Sequence, residues 1–155
     1  ELMKNGVDII KNSRIKKIVD NNRSSFYRRI FTDNELQYLQ TKNHDYKTVA
    51  GLFAAKEAVS KVFETGIGEL SWKDIEILHT DNGKPYVFIS KKIDSKLIEM
   101  NCNEIEISIS HEEEYTIAFA IGYLFDSNSR LVKHNNRKAR RIGKDHSRGY
   151  KRNLR

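Results

Sequence analysis

The stretch from Thr48 to Glu64, TVAGLFAAKEAVSKVFE, constrains the fold more than any other. It reads as part of one long helix from about Asp45 to Glu64. Phe53, Ala54, Ala55, Ala58, Val59, Val62 and Phe63 leave little of that helix suited to water, so other elements have to cover most of its circumference. Its alanines also allow a neighbouring backbone or a ligand to come close. Yet Lys56 and Glu57 sit in its middle, and Lys61 follows one turn after Glu57. Charges in such a place are either a solvated stripe or a site.

The covering elements can be read on both sides. Gly6 to Ile10, GVDII, is a short β-branched run that predicts a buried strand. A basic amphipathic helix follows to about Val19, and FYRRIF adds a turn or two. Thr32-Asp33-Asn34-Glu35 has capping-box spacing and starts a helix running to about Gln40. Gly66-Ile67-Gly68 is expected to stop the long helix with a left-handed cap. Beyond it, Asp74 to His79 alternates as a strand, Asn82-Gly83-Lys84-Pro85 turns, and Tyr86 to Ser90 returns to make a hairpin. Lys91 to Met100 predicts a helix. Glu104 to Ser110 places Ile105, Ile107 and Ile109 on one face, and Tyr115 to Leu124 is the last strand. One strand, then helices, then mainly antiparallel strands indicate an α+β domain over residues 1–124, with helices packed on a sheet.

Length and charge narrow the function. A chain of 155 residues suffices for one domain with a modest core. No apolar run approaches the ~20 residues of a membrane helix. The single Cys102 rules out an internal disulfide and leaves a thiolate zinc site short of ligands, so a reducing compartment is the default. The chain opens on Glu1 rather than Met, which reads as a processed or trimmed product. Its net charge of +7 divides unevenly. Residues 124–155 carry eleven Lys/Arg and two Asp, whereas residues 1–123 carry seventeen Lys/Arg and nineteen Asp/Glu. The basic character belongs to a tail, 125–155, whose composition suits a flexible solvated extension. The alternative is an arm for nucleic acid or another acidic surface, although no RNA-binding signature accompanies it. Within the acidic body, residues 11–31 carry Lys11, Arg14, Lys16, Lys17, Arg23, Arg28 and Arg29 against Asp20 alone. That segment is either an ordinary solvated face or a dock for an acidic protein.

Three positions look out of place. Asp8 lies inside an apolar strand, and a buried carboxylate needs a partner: a metal, a Lys or Arg, or a cluster of backbone donors. Glu57 and Lys61 are four apart and share a helix face. As an exposed pair they would contribute only about 0.3–0.5 kcal/mol. His111 ends a strand after Ser108 and Ser110, where structural and functional roles are both open. Asn82 to Pro85 is first a turn, and second a place where Lys84 could meet phosphate. One chemistry unites these residues. Asp8 and Glu57 can hold a hard divalent cation such as Mg²⁺, while Lys61 and His111 supply positive charge or donors to phosphate oxygens. Neither G-x-x-x-x-G-K-[ST] nor G-x-G-x-x-G is present.

In order along the chain stand Gly6-Val7-Asp8-Ile9 with Arg14-Ile15, Phe31-Thr32-x-x-Glu35, and Phe53-Ala-Ala-Lys56-Glu57-Ala58-x-x-Lys61. Gly66-Ile-Gly68, Asn82-Gly-Lys-Pro85 and Ser108-Ile-Ser110-His111 follow. From about Gly6 to Gly122 this series resembles the holo-acyl-carrier-protein synthases, the small bacterial-type 4′-phosphopantetheinyl transferases. Each motif is weak alone; together they are specific. The resemblance implies transfer of 4′-phosphopantetheine from coenzyme A to a serine of apo acyl carrier protein, with release of adenosine 3′,5′-bisphosphate. It implies Asp8 and Glu57 as Mg²⁺ ligands, Glu57 as the base, and Lys61 on the diphosphate. Ser60, Gly66, Asn82, Gly83, Lys84, Pro85 and His111 would line the coenzyme A pocket. Arg14, with Arg23 and Arg28 of the basic segment, would dock the carrier protein. A homotrimer with sites between subunits is expected, in a bacterial-type cytoplasm or in an organelle matrix after loss of a leader.

On this reading Lys56 is the solvated residue of the long helix, and Glu57 with Lys61 is its working face. Leu52 departs from the family pattern, which usually has Arg there, so one positive contact is missing. The tail has no counterpart in compact family members. A non-catalytic nucleic-acid-binding domain acting through the tail is the alternative, but it gives Asp8, Glu57 and Lys61 no task. A degenerate, inactive trimer is a third reading, against which the metal pair and the lysine are intact.

Overall fold

The apolar stretch folds as a helix over Tyr46–Val62, capped by Asp45, which accepts a hydrogen bond from the Thr48 N–H at 3.0 Å. It is the third helix of a computed structural model that describes residues 3–64 and 68–125. The elements are β1 (Met3–Lys11), α1 (Asn12–Ile30), α2 (Asp33–Thr41), α3 (Tyr46–Val62), a 3-10 turn (Trp72–Asp74), β2 (Ile77–His79), β3 (Pro85–Val87), α4 (Lys91–Glu99), β4 (Glu104–His111) and β5 (Tyr115–Tyr123). The expected α+β class is what the chain adopts. The basic tail at 126–155 and Gly66 lie outside the described residues.

Alternation in the strands decides where α3 sits. β1, β5 and β4 form one antiparallel sheet in that order, and β2 and β3 form a separate hairpin. Ile10, Thr116, Ala118, Ala120, Ile105 and Ile107 are all buried under the helices. Small residues on this face let α3 settle close to it. A Cβ added at Gly6 would run into the Ala58 carbonyl oxygen and stand 2.9 Å from Lys61 Cβ, so only glycine fits there. The register sets Asp8 opposite Ala118 and His111 opposite Thr116.

The other side of α3 holds the main correction to the sequence reading. Lys56 is not solvated. Its side chain and that of Glu35 are both 0% exposed, and their charged atoms lie 2.7 Å apart. Lys56 also donates to the carbonyls of Trp72 and Ile75 at 2.9 and 2.7 Å. Glu35 accepts from the N–H groups of Thr32 and Ile77 at 2.8 and 3.0 Å. The capping box at Thr32 is therefore present, and its glutamate does a second job deep in the core. Burial pushes the Glu35 carboxyl up and the Lys56 ammonium down, while the opposite charge acts against both shifts. Helix periodicity gives no sign of a partner that lies on a different element.

Smaller differences have local causes. α1 is longer than expected and joins the two predicted helical pieces, with a break at Asn22 (φ −138°, ψ 30°). α3 ends at Val62 and Phe63, before the glycines, and the left-handed residue is Glu64 (φ +59°), whose carboxylate pairs with Lys4 at 2.8 Å. β2 begins only at Ile77, because Asp74 turns back to accept from Ser71 N–H at 2.8 Å. β3 stops at Val87, and Ser90 caps α4 instead, accepting from Ile93 N–H.

Lys56→Met would leave Glu35 buried without its cation. We expect a loss of about 3–5 kcal/mol in urea unfolding, most of it recovered in the Glu35→Leu/Lys56→Met double variant. Additive losses from the two single changes would show that the pair is not coupled.

Candidate active site

The close seating of α3 on β1 brings three sequence-predicted residues together. Asp8 projects from the helix-facing side of β1. Lys61 Nζ lies 3.2 Å from Asp8 Oδ1 and donates to the Val7 carbonyl at 2.7 Å. Glu57 stands one turn before Lys61 on α3 and is half-buried. Burial pushes its carboxyl up, the charge of Asp8 pushes it further, and Lys61 opposes both. The backbone contact at Gly6 is what makes this possible, since it lets residues 57 and 61 flank residue 8.

This cluster has two carboxylates and one lysine, hence an unneutralised negative charge. Burial first, and then the charge of Asp8, disfavour an ionised Glu57, and a cation between the carboxylates would offset both. Two hard oxygen donors suit Mg²⁺, an ion that keeps several waters and takes phosphate oxygens as further ligands. Among the described residues no group of three or more His, Cys, Asp or Glu could hold a metal. An ion here would accordingly draw its remaining ligands from water and substrate.

A second cluster lies nearer the start of α3. Tyr38, Thr48, Gly51, Leu52, His79, Gly83, Pro85, Ile109 and His111 line a cleft of about 180 Å³. The β2–β3 turn is pinned by Gly83 N–H on the Thr80 carbonyl (2.8 Å) and Thr80 N–H on the Lys84 carbonyl (2.9 Å). It needs glycine at Gly83, where φ is +80°. His79 stacks on Tyr38 with ring centres 3.8 Å apart, and burial lowers its pKa. The His111 ring lies over Gly51, where an added Cβ would come within 2.9 Å of Cε1. Burial lowers the His111 pKa, opposed by Asp45 and reinforced by Lys47.

Of the residues predicted to line a pocket, Gly83, Pro85 and His111 thus meet in one cleft. Asn82 and Lys84 are exposed in the same turn. Ser60 is buried, and its hydroxyl donates to the Glu57 carbonyl at 2.7 Å, on its own helix. Leu52 is buried and lines the cleft. Arg14, Arg23 and Arg28 are exposed along α1. Sequence reasoning missed Tyr38, Thr48, Gly51 and His79. Gly51, the one glycine within the apolar helix, was the available signal.

Comparison with known proteins is consistent across sequence and fold. Residues 5–120 match the family described as the 4′-phosphopantetheinyl transferase superfamily. The chain is 45% identical over 116 residues to a holo-(acyl-carrier-protein) synthase of Caldanaerobacter subterraneus subsp. tengcongensis, covering 75% of this chain and 91% of the relative. It is 45% identical over 117 residues to the enzyme of the same name from Fusobacterium nucleatum, covering 75% and 94%. The crystal structure of the Neisseria meningitidis holo-(acyl-carrier-protein) synthase superposes with a TM-score of 0.69 at 32% identity, over 77% of this chain and 96% of that one. The Helicobacter pylori enzyme in complex with coenzyme A gives 0.67 at 34% identity, over 76% and 98%.

Asp8→Asn removes the like charge beside Glu57. Carboxyl titration followed by ¹³C NMR should show Glu57 protonating above the ordinary glutamate range in the wild type, and at lower pH in the variant. An unmoved midpoint would mean that the two carboxylates do not share a site.

Proposed function

Because this chain belongs to the 4′-phosphopantetheinyl transferase superfamily, we propose that it moves 4′-phosphopantetheine from coenzyme A to a serine of an apo acyl carrier protein, using Mg²⁺ and releasing adenosine 3′,5′-bisphosphate. It is an enzyme of the holo-(acyl-carrier-protein) synthase type. The observation that carries the detailed reading is the meeting of Asp8, Glu57 and Lys61 where α3 crosses β1.

Asp8 and Glu57 would hold the Mg²⁺, which supplies charge neutralisation at the diphosphate when bound. Glu57 would take the proton of the carrier serine, directly or through a water. The serine oxygen then bonds to the phosphorus bearing pantetheine, and the bond from that phosphorus to the bridging oxygen breaks. Lys61 would turn from Asp8 and the Val7 carbonyl toward the oxygen that leaves with adenosine 3′,5′-bisphosphate. Coenzyme A would occupy the cleft of Gly83, Pro85 and His111, with Asn82, Lys84, Ser60 and Gly66 as further contacts.

The other face of the sheet supports a reading of the assembly. Val7 (48% exposed), Ile9 (63%), Ile117 (41%) and Phe119 (43%) form an apolar field on the side away from α3. A field of this kind is suited to burial against other copies of the chain, and we assign it to a homotrimer. The metal pair and the cleft sit at different points along α3. Gly51 and Glu57 are about 9 Å apart along the axis at 1.5 Å per residue. A site shared between subunits would let the cleft of one chain serve the carboxylates of another. The arginines of α1 would receive the acidic carrier protein. Residues 1–124 would form the transferase domain and 125–155 a basic extension outside the reaction. Among the described residues no helix is long and apolar enough to cross a membrane.

The deciding experiment is intact mass spectrometry of apo acyl carrier protein incubated with enzyme, coenzyme A and Mg²⁺. We expect a gain of one phosphopantetheine that EDTA prevents, and a drop in rate of about 10²–10⁴-fold in Glu57→Gln, the range for loss of a general base. A folded Glu57→Gln variant with wild-type rates would remove Glu57 from the chemistry. Separately, Ile9→Asp and Phe119→Asp should convert the trimer to monomer in sedimentation velocity. A variant that stays trimeric would place the interface elsewhere.

A further inference from the structure

The environment of His111 fixes which of its two nitrogens carries the proton. Asn12 opens α1 and is only 1% exposed. Its Nδ2 donates to the carbonyls of Glu112 and Glu113 at 2.9 and 3.1 Å. A carbonyl can only accept, so both amide hydrogens are committed there and the amide cannot flip. Asn12 Oδ1 is then the end that faces β5. It accepts the hydroxyl of Thr116, a 0% exposed residue, at 2.7 Å across 104 residues of sequence.

That donation uses the single proton of Thr116. Its oxygen is left as an acceptor, and His111 Nδ1 lies 3.0 Å from it. Nδ1 must therefore bring the hydrogen. A neutral imidazole carries only one N–H, so Nε2 is left with a free lone pair. The Cε1–Nε2 edge lies over Gly51 in the cleft already described, with an added Cβ at Gly51 standing 3.3 Å from Nε2.

We propose that Asn12 and Thr116 are positioning residues that lock neutral His111 as its Nδ1–H tautomer and present Nε2 to the cleft as a hydrogen-bond acceptor. The proposal rests on the transferase reading for the identity of the ligand. In this form His111 does not donate to a phosphate oxygen. It receives an N–H or O–H group of the bound substrates, the coenzyme A or the carrier serine. The sequence reading gave His111 to phosphate; with Nδ1–H held by Thr116, that role needs a second proton, on Nε2.

The test is ¹⁵N NMR of the histidine side chains in the whole enzyme, with His111 assigned by loss of its signals in His111→Gln. At a pH where the ring is neutral, the wild type should show a protonated Nδ1 and a bare Nε2. Thr116→Val keeps the shape but removes both bonds, so the ring should shift toward the Nε2–H form. Its kcat/KM should fall by about ten- to a hundredfold, by analogy with loss of the partner that orients a metal-bound histidine. Thr116→Ser keeps the hydroxyl and should retain both tautomer and rate. A wild-type ring with Nε2 protonated overturns the proposal, as does a Thr116→Val variant that loses activity with its tautomer unchanged. If Thr116→Val does not fold, the wild-type and Thr116→Ser spectra still decide. Absence of carrier modification by the wild type would sink the transferase reading instead, and leave the tautomer to the spectrum.

Discussion

The Glu35–Lys56 ion pair is the contact on which the rest of this fold leans. It ties four segments to one point: the start of α2, the middle of α3, the turn at Trp72–Asp74 and the first residue of β2. Two buried charges would normally be a poor way to hold a core together, because desolvation offsets much of their attraction. Here four backbone groups complete the hydrogen bonding of both partners, so neither charge is left exposed to an apolar wall. The pair fixes the rotation of α3 about its own axis. Lys56 has to face α2 and β2, so Glu57, one residue on, is turned away from them.

Gly6 then sets how close the other flank comes. With α3 rotated by Lys56 and seated on β1 at Ala58, residues 57 and 61 fall beside Asp8. Neighbouring residues of one helix thus have opposite roles. Lys56 is wholly neutralised and structural, while Glu57 keeps an unbalanced charge against Asp8. The catalytic reading of Glu57 depends on that imbalance, and the imbalance depends on Lys56 being occupied elsewhere.

Much of the site was legible in sequence because each of its residues broke a local rule. Asp8 is a charge inside a β-branched strand, and Glu57 and Lys61 share a face of a helix with almost no polar surface. Residues that obey local rules were misread. Glu35 looked like a complete capping-box residue, which it is, and nothing in its neighbourhood announced a second partner. Lys56 looked like the one charge a solvated stripe could keep. The Asn12–Thr116–His111 network joins residues 104 apart, a distance at which pattern carries no information. The short β2 has the same origin, since the Ser71 carbonyl takes the Asp74 N–H, Lys56 takes the Ile75 carbonyl and Glu35 takes the Ile77 N–H, groups that an extended strand would have used.

The sheet links the site to the proposed assembly through its register. On β1, Gly6, Asp8 and Ile10 face α3 while Val7 and Ile9 face outward, and on β5 Thr116 and Ala118 face in while Ile117 and Phe119 face out. A slip of one residue in β1 would put Asp8 on the outer face and Val7 against Lys61, losing the site and the apolar field together. Catalysis and association are for that reason two sides of one constraint. In the proposed trimer the outer face would need β1 in register, and the inner face needs that same register to hold Asp8 against Lys61. An isolated subunit would keep the Glu35–Lys56 anchor, which lies on the far side of α3. It would expose the outer face of the strand that carries Asp8, so loosening of a dissociated subunit should begin at β1, with Asp8 and Glu57 affected before the core.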